Sequence, residues 1–436
     1  MRIPTATYRL QFNHNFGFSD AQAILDYLQR LGISDIYASP IFGANPGSEH
    51  GYDMTDPTCL NPELGTREDF DSLIAEVRSR GMGWLQDFVP NHMAFSSHNS
   101  WLMDVLEYGP LSPYYNFFDI DWSHPDPELN GRVLAPFLGE PLEKVITDGN
   151  LSLTFGKNGF AAEYYEHKFP VNLPAIAKIA YSLPQDTLAP LLPEPNAQYT
   201  REAIQDKKTT LFKQYETDRT IRAAVDKSVN QISIEPALFE QLLAEQYYHL
   251  AYWKTAAEKI NYRRFFYIND LICLNIDRSE VFETVHTAVS DWYEQGFLTG
   301  LRIDHLDGLR YPGQYLNRLR EKFPDLYIVA EKILEKDEKI PPQWPLQGTT
   351  GYDFGNFLTA VFCNHKHRDE FFSQYQAFTN QNADYHRLIY EQKKSVTARH
   401  MKSDIDNLVR LLKPLLGEKY DAGWLSEMLI ALISAF

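Results

Sequence analysis

Cysteine is scarce here: Cys59, Cys273 and Cys363 are the three in a chain of 436 residues. They lie far apart and in no pattern, which excludes a disulfide framework and a cysteine-based zinc cluster. Positive charge is also short. Forty-one Lys and Arg face 58 Asp and Glu, for a formal net charge of -17. A nucleic-acid surface wants a basic patch, so no nucleic-acid partner is expected. Long apolar runs are missing too: none approaches the roughly 20 residues a membrane helix needs. The opening "MRIPTATYRLQF" reaches polar, strand-like sequence at once, with no signal-peptide apolar region. A cytoplasmic protein without a membrane role is the expectation. No phosphate loop or dinucleotide signature occurs. His365 and His367 sit near acidic residues but read as solvated surface. Neither metal nor cofactor is expected.

What is abundant is aromatic: 26 Tyr and 27 Phe. Such residues fill cores, and they also line grooves that stack flat ligands or sugar rings. The length allows a large core and more than one domain.

Local patterning alternates strands and helices. "ATYRLQF" (6–12) alternates as a strand does. A helix opens at Ser19, with Ala21, Ile24, Leu25, Leu28 and Leu31 on one stripe and Gly32 as its stop. Residues 33–42 read as a second strand. Thr66 and Asp69 have capping-box spacing before a helix that buries Phe70, Leu73, Ile74 and Val77. "GWLQDFVPNH" (83–92) is a third strand. The rhythm then breaks until about 280. Within the break, 151–165 reads as a hairpin turning at Asn158-Gly159, and 235–266 as mostly helical. A helix over 279–296, a strand over 297–305, a helix over 312–323 and a strand over 326–333 resume it. "GTTGYDF" (348–354) and long polar helical segments follow. This is the grammar of a parallel α/β sheet. Three parts are expected: 1–92, an inserted subdomain and helical region over 93–280, and 281–436.

Charged residues gather where these strands end. Asp87 and His92 end the third, Arg302, Asp304 and His305 the fourth, Glu331 and Lys332 the fifth. Parallel strands deliver such residues to one crevice or barrel mouth. Arg302 and Asp304 stand two apart and so share a face. An aspartate beside an arginine is expected to stay ionised, as a nucleophile must. A glutamate in the apolar setting "IVAEKI" could keep its proton and act as an acid. Two carboxyls in those roles suit glycosidic-bond chemistry. From the residues alone, a structural ion pair is an equally open reading.

The motifs close part of that gap. "DFVPNH" (87–92), "GLRIDH" (300–305) and "VAEKIL" (329–334) resemble the first three signatures of the α-amylase family of retaining glycoside-active enzymes. "TYRLQF", "GSEHGYDMTDP" (47–57), "RRFFYINDL" (263–271), "RIDHLDGL" and "GTTGYDF" resemble a trehalose-forming branch of that family. The resemblance implies a (β/α)8 TIM-barrel-type domain with a large insertion after the third strand. It implies Asp304 as nucleophile, Glu331 as general acid/base and Arg302 as the holder of the nucleophile. His92 and Asp87 would shape the first sugar site, Tyr52 would stack on that sugar, and Asp53 would order the floor. His50, His305 and Asp307 would contact sugar or support residues that do. The implied reaction turns the reducing-end α-1,4 link of a maltooligosaccharide into an α,α-1,1 link. An amylase-type hydrolase and an inactive glucan-binding fragment are the alternatives. The last rests on a fourth signature aspartate that is not matched: "FCNHKH" (362–367) has Lys366 in its place. Strands one to six are therefore expected and seven and eight are not. A second chain is expected to supply the missing part.

Overall fold

Six short parallel strands frame the protein: β1 (Thr7–Leu10), β2 (Asp35–Ala38), β3 (Gly83–Phe88), β4 (Gly300–Ile303), β5 (Tyr327–Ala330) and β6 (Gly348–Thr349). They lie side by side in chain order, each parallel to the next. Among the described residues this is the arrangement of an eight-stranded β/α barrel with six strands in place and its sheet open between β6 and β1. The computed structural model describes residues 1–183, 187–194, 197–335, 337–382, 384–417 and 419–436.

The flanking helices bury the expected stripes, with two departures. The helix expected from Ser19 is two, α1 (Phe18–Ala23) and α2 (Leu25–Leu31), broken where Ile24 leaves helical geometry (φ -99°, ψ 2°). Ala21, Leu25 and Leu28 still face the core, whereas Leu31 is exposed. α3 (Arg67–Ser79) starts on the Thr66–Asp69 capping box and buries Phe70, Leu73, Ile74 and Val77. The helix expected over 279–296 is also two, α4 (Ser279–Val285) and α5 (Thr287–Glu294). His286 sits at their junction, its Nδ1 2.7 Å from the Phe282 carbonyl and its Nε2 3.0 Å from the Tyr315 hydroxyl. Burial pushes its pKa down to about 3, so it is a neutral packing element. α6 (Pro312–Lys322) and α7 (Tyr352–Val361) follow β4 and β6.

The insertion leaves and rejoins the barrel through one small sheet. His92–Ala94 runs antiparallel to Ile268–Cys273, which also pairs with Arg264–Phe265. The expected hairpin is present as Ser152–Gly156 and Gly159–Tyr164, and a third strand, His167–Val171, extends it. The mostly helical reading of 235–266 is corrected. Only Pro236–Ala244 is an α-helix there, and Tyr248–Tyr252 is a strand parallel to Val133–Leu138. Its aromatic "YHLAY" fits a half-buried pleat, which favours bulky flat side chains.

A late helix, Lys402–Leu416, clamps onto the insertion. Asp404 lies 3.1 Å from Arg264, Asn407 donates to the Ile260 carbonyl at 2.7 Å, and Arg410 meets Asp121 at 2.6 Å. α7 by contrast buries none of its residues, and Phe354, Phe357 and Val361 are exposed. Among the described residues, no helix is long and apolar enough to cross a membrane.

Candidate active site

Strand register builds the site. Arg302 on β4 is the cross-strand partner of Asp87 on β3. Asp304 and Glu331 sit one residue past β4 and β5, where each backbone N–H still continues the ladder. Asp304 donates to Phe88 at 2.9 Å and Glu331 to Ile303 at 2.8 Å. Three carboxyls therefore converge on one guanidinium. Arg302 Nη1 donates to Asp87 Oδ1 at 2.9 Å and to Asp304 Oδ1 at 2.5 Å. Its Nη2 lies 3.2 Å from Glu331 Oε1.

One cation among three carboxyls does not set the charge state that a simple pair would. Burial raises the pKa of Asp304 to about 7; Arg302 opposes this, while Asp87 and Glu331 add to it. The expectation that Arg302 by itself keeps Asp304 ionised is thus corrected. Burial raises Asp87 as well, against the pull of Arg302 and of two tyrosine hydroxyls. Those hydroxyls belong to Tyr52 at 2.6 Å and Tyr37 at 3.0 Å, both donating to Asp87 Oδ2. Burial opposes the charge on Arg302, but Asp87 and its neighbours outweigh that and hold the guanidinium above its ordinary pKa.

The other carboxyl oxygen of Glu331 accepts from the backbone N–H of His305 at 2.9 Å, and Tyr352 donates to Oε1 at 3.2 Å. His92 is buried, and that burial pushes its pKa down to about 3. Its Nε2 has no hydrogen-bond partner among the described residues. A buried, neutral and unpartnered nitrogen is what a ligand hydroxyl would satisfy.

These groups line a cavity of about 620 Å3, within the range of ordinary small-molecule sites. Of the residues expected from sequence, His50, Tyr52, His92, Arg302, Asp304 and Glu331 line it, and Asp87 lies beneath. Others do not reach it. Asp53 accepts from Ser48 in the adjoining loop and lies 3.8 Å from His50. Asp307 is half exposed and pairs with Lys332 at 3.3 Å. His305 turns its ring onto Phe265 and Phe266, with centroids at 4.5 and 5.1 Å. The walls also include Arg9, Tyr37, Phe265, Leu271, Thr350 and Tyr352, which sequence reasoning had not singled out. Most stand inside the quoted motifs "TYRLQF", "RRFFYINDL" and "GTTGYDF". Tyr37 had no motif to mark it.

Known proteins resemble this chain in sequence and fold. The α-amylase catalytic domain matches residues 20–179, which include Tyr52, Asp87 and His92. A putative maltooligosyl trehalose synthase of Mycobacterium tuberculosis is 35% identical over 358 residues. The chain belongs to the α-amylase family. That relative is matched over 80% of this chain and 37% of its own length. Among solved structures, the maltooligosyltrehalose synthase from Arthrobacter ramosus superposes with a TM-score of 0.77 at 30% identity, over 99% of this chain and 47% of that one. The hypothetical maltooligosyl trehalose synthase of Sulfolobus tokodaii gives 0.73 at 31% identity, over 100% and 48%. The chain thus spans less than two fifths of the curated relative's length and about half of each solved one. The α-amylase-family match by itself stops short of Arg302, Asp304 and Glu331; the longer likenesses extend past them. The segment 362–367, nearest to the family's fourth signature, follows α7 and holds an exposed single turn at His365–His367, not a strand end.

Proposed function

We propose that this chain carries the first part of an intramolecular transglucosylase acting on maltooligosaccharides. The carrying observation is the Arg302 guanidinium joined to both Asp304 and Glu331 on the wall of an aromatic-lined cavity. In this reading Asp304 attacks the anomeric carbon of the terminal α-1,4 link while Glu331 protonates the leaving oxygen. The covalent glucan–enzyme intermediate requires the two carboxyls to work at roughly 5–5.5 Å. The released glucose stays, turns over and attacks through its own anomeric hydroxyl. Glu331 then takes the proton, and the product ends in an α,α-1,1 link. His92 and Tyr52 frame the first sugar, and Asp87 braces Arg302 and Tyr52 from below. His50 contacts the sugar from the rim, whereas Asp53, His305 and Asp307 act behind the wall.

Water must be kept out for transfer to win over hydrolysis. The insertion supplies Phe265 and Leu271 to the cavity wall, which supports a division into 1–92, 93–280 and 281–436 with the middle part as cover. The free edges of β1 and β6 and the exposed apolar residues of α7 support a further polypeptide, here a second chain, completing the barrel. Three cysteines without disulfides suit the reducing cytoplasm.

Maltopentaose tests the reading. Loss of reducing ends without released glucose, abolished in Asp304→Asn, is the expected result. A rise in reducing sugar points to the hydrolase instead. Binding without turnover, alone and with a completing chain, points to a glucan-binding fragment.

A further inference from the structure

A second cavity, of about 440 Å3, lies in the insertion and shares no lining residue with the first. It forms where the helices Ser100–Tyr108 and Leu173–Ser182 meet the turn at 245–247 that follows the helix Pro236–Ala244. Its charges are largely spent on one another. Lys208 holds Glu107 at 2.6 and 2.8 Å in the floor, and Lys178 holds Glu245 at 2.5 Å. Arg132, Asn130 and Tyr247 also line it. Their side chains make no hydrogen bond or ion pair among the described residues. The Tyr247 ring is fixed in place. Gly109 (φ +53°) lies flat against it, and a Cβ there would stand 2.5 Å from two ring carbons.

The chemistry of the walls selects the ligand class. The two ion pairs cancel and leave Arg132 as a single unpaired cation, too little by itself to select an anion over a hydroxyl-rich guest. The unpartnered donors and the amide would be desolvated to no gain by an apolar guest. A rigid tyrosine face beside free donors and acceptors suits a neutral polyhydroxylated ring, and the volume holds about two such rings. We propose that this cavity is a second saccharide site, taking a neutral disaccharide or the end of a longer glucan, apart from the site that holds Asp304 and Glu331.

Hydrogen exchange on the full chain tests this with maltose, trehalose and inorganic phosphate as probes. Either sugar is expected to protect the peptides covering 130–132, 172–178 and 244–247, besides any protection at 85–92 and 300–305. Arg132→Ala removes a side chain without a polar protein partner and should leave the fold intact. It should weaken protection at the second cavity roughly tenfold in sugar concentration while leaving the first unchanged. Tyr247→Ala should weaken it further. Protection confined to 85–92 and 300–305, equal protection in Arg132→Ala, or protection by phosphate but not by sugar overturns the proposal. Because the two regions are read separately, loss of the transglucosylase reading leaves this one standing.

Discussion

The backbone N–H of His305 points at Oε2 of Glu331 from 2.9 Å, across the gap between β4 and β5. His305 reaches this position with φ +47°, a left-handed conformation uncommon outside glycine. The residue after the proposed nucleophile thus aims the proposed acid, through an atom that no side-chain motif encodes. The strain is held by packing: the ring is wedged against Phe265 and Phe266 and over Gly308.

That wedge makes Gly308 a sensitive position. A Cβ there would come within 2.1 and 2.4 Å of the His305 ring and 3.0 Å from Asn91 Oδ1. Gly308→Ala is expected to cost about 1–3 kcal/mol of stability and to lower turnover by turning His305 away from Glu331. Adding His305→Ala should restore most of the stability by removing the clash. Denaturant titration of the single and double variants checks this; equal stabilities for both would refute the wedge.

Asp304 gives the protein a pH signature. Its folded pKa of about 7 stands above the ordinary carboxylate value, chiefly through burial. Between about pH 4 and 7 the folded chain therefore holds a proton that the unfolded chain releases. The stability from this group is full below that window and lost as pH rises through 7, at up to about 1.4 kcal/mol per pH unit. Asp304→Asn should flatten the fall in Tm across pH 5–8. Turnover needs the ionised form, so it should rise over the same range, with an apparent pKa that belongs to the Asp87–Asp304–Glu331 cluster. Parallel Tm profiles for the two proteins would count against it.

Much of this was legible in the sequence for a simple reason: strand ends carry their chemistry at a spacing of two. Arg302 and Asp304 announce a shared face, and Thr66 with Asp69 announces where α3 begins. Other features depend on register between strands far apart in the chain. Nothing local in "DIYA" says that Tyr37 will reach Asp87, fifty residues on. Nothing in "TYRLQF" says that Arg9 will donate to Tyr52 at 3.2 Å. The breaks at Ile24 and His286 were illegible because each apolar stripe runs through them unbroken. Tyr248–Tyr252 was misread because a helical stripe and an aromatic strand overlap in composition; its partner at Val133–Leu138 decides between them.

Arg302 is where structure and chemistry meet most tightly, so its replacement should separate charge from geometry. The side chain is 7% exposed and faces Asp87, which is fully buried. Removing one member of a buried ionic cluster leaves the rest uncompensated, at a cost of about 3–5 kcal/mol. Arg302→Ala should therefore lose that much stability, less at pH 5 than at pH 8, because protonation relieves the stranded carboxyls. Arg302→Lys keeps one positive charge but has no planar fork. It can serve Asp87 or Asp304 but cannot span to Glu331 as two guanidinium nitrogens do. It should recover most of the stability while turnover stays depressed by roughly a hundredfold, the scale on which misplaced reacting groups act. If Arg302→Lys restored turnover as fully as stability, the guanidinium would be a counter-charge only, and the bridge between Asp304 and Glu331 would have no part in the reaction.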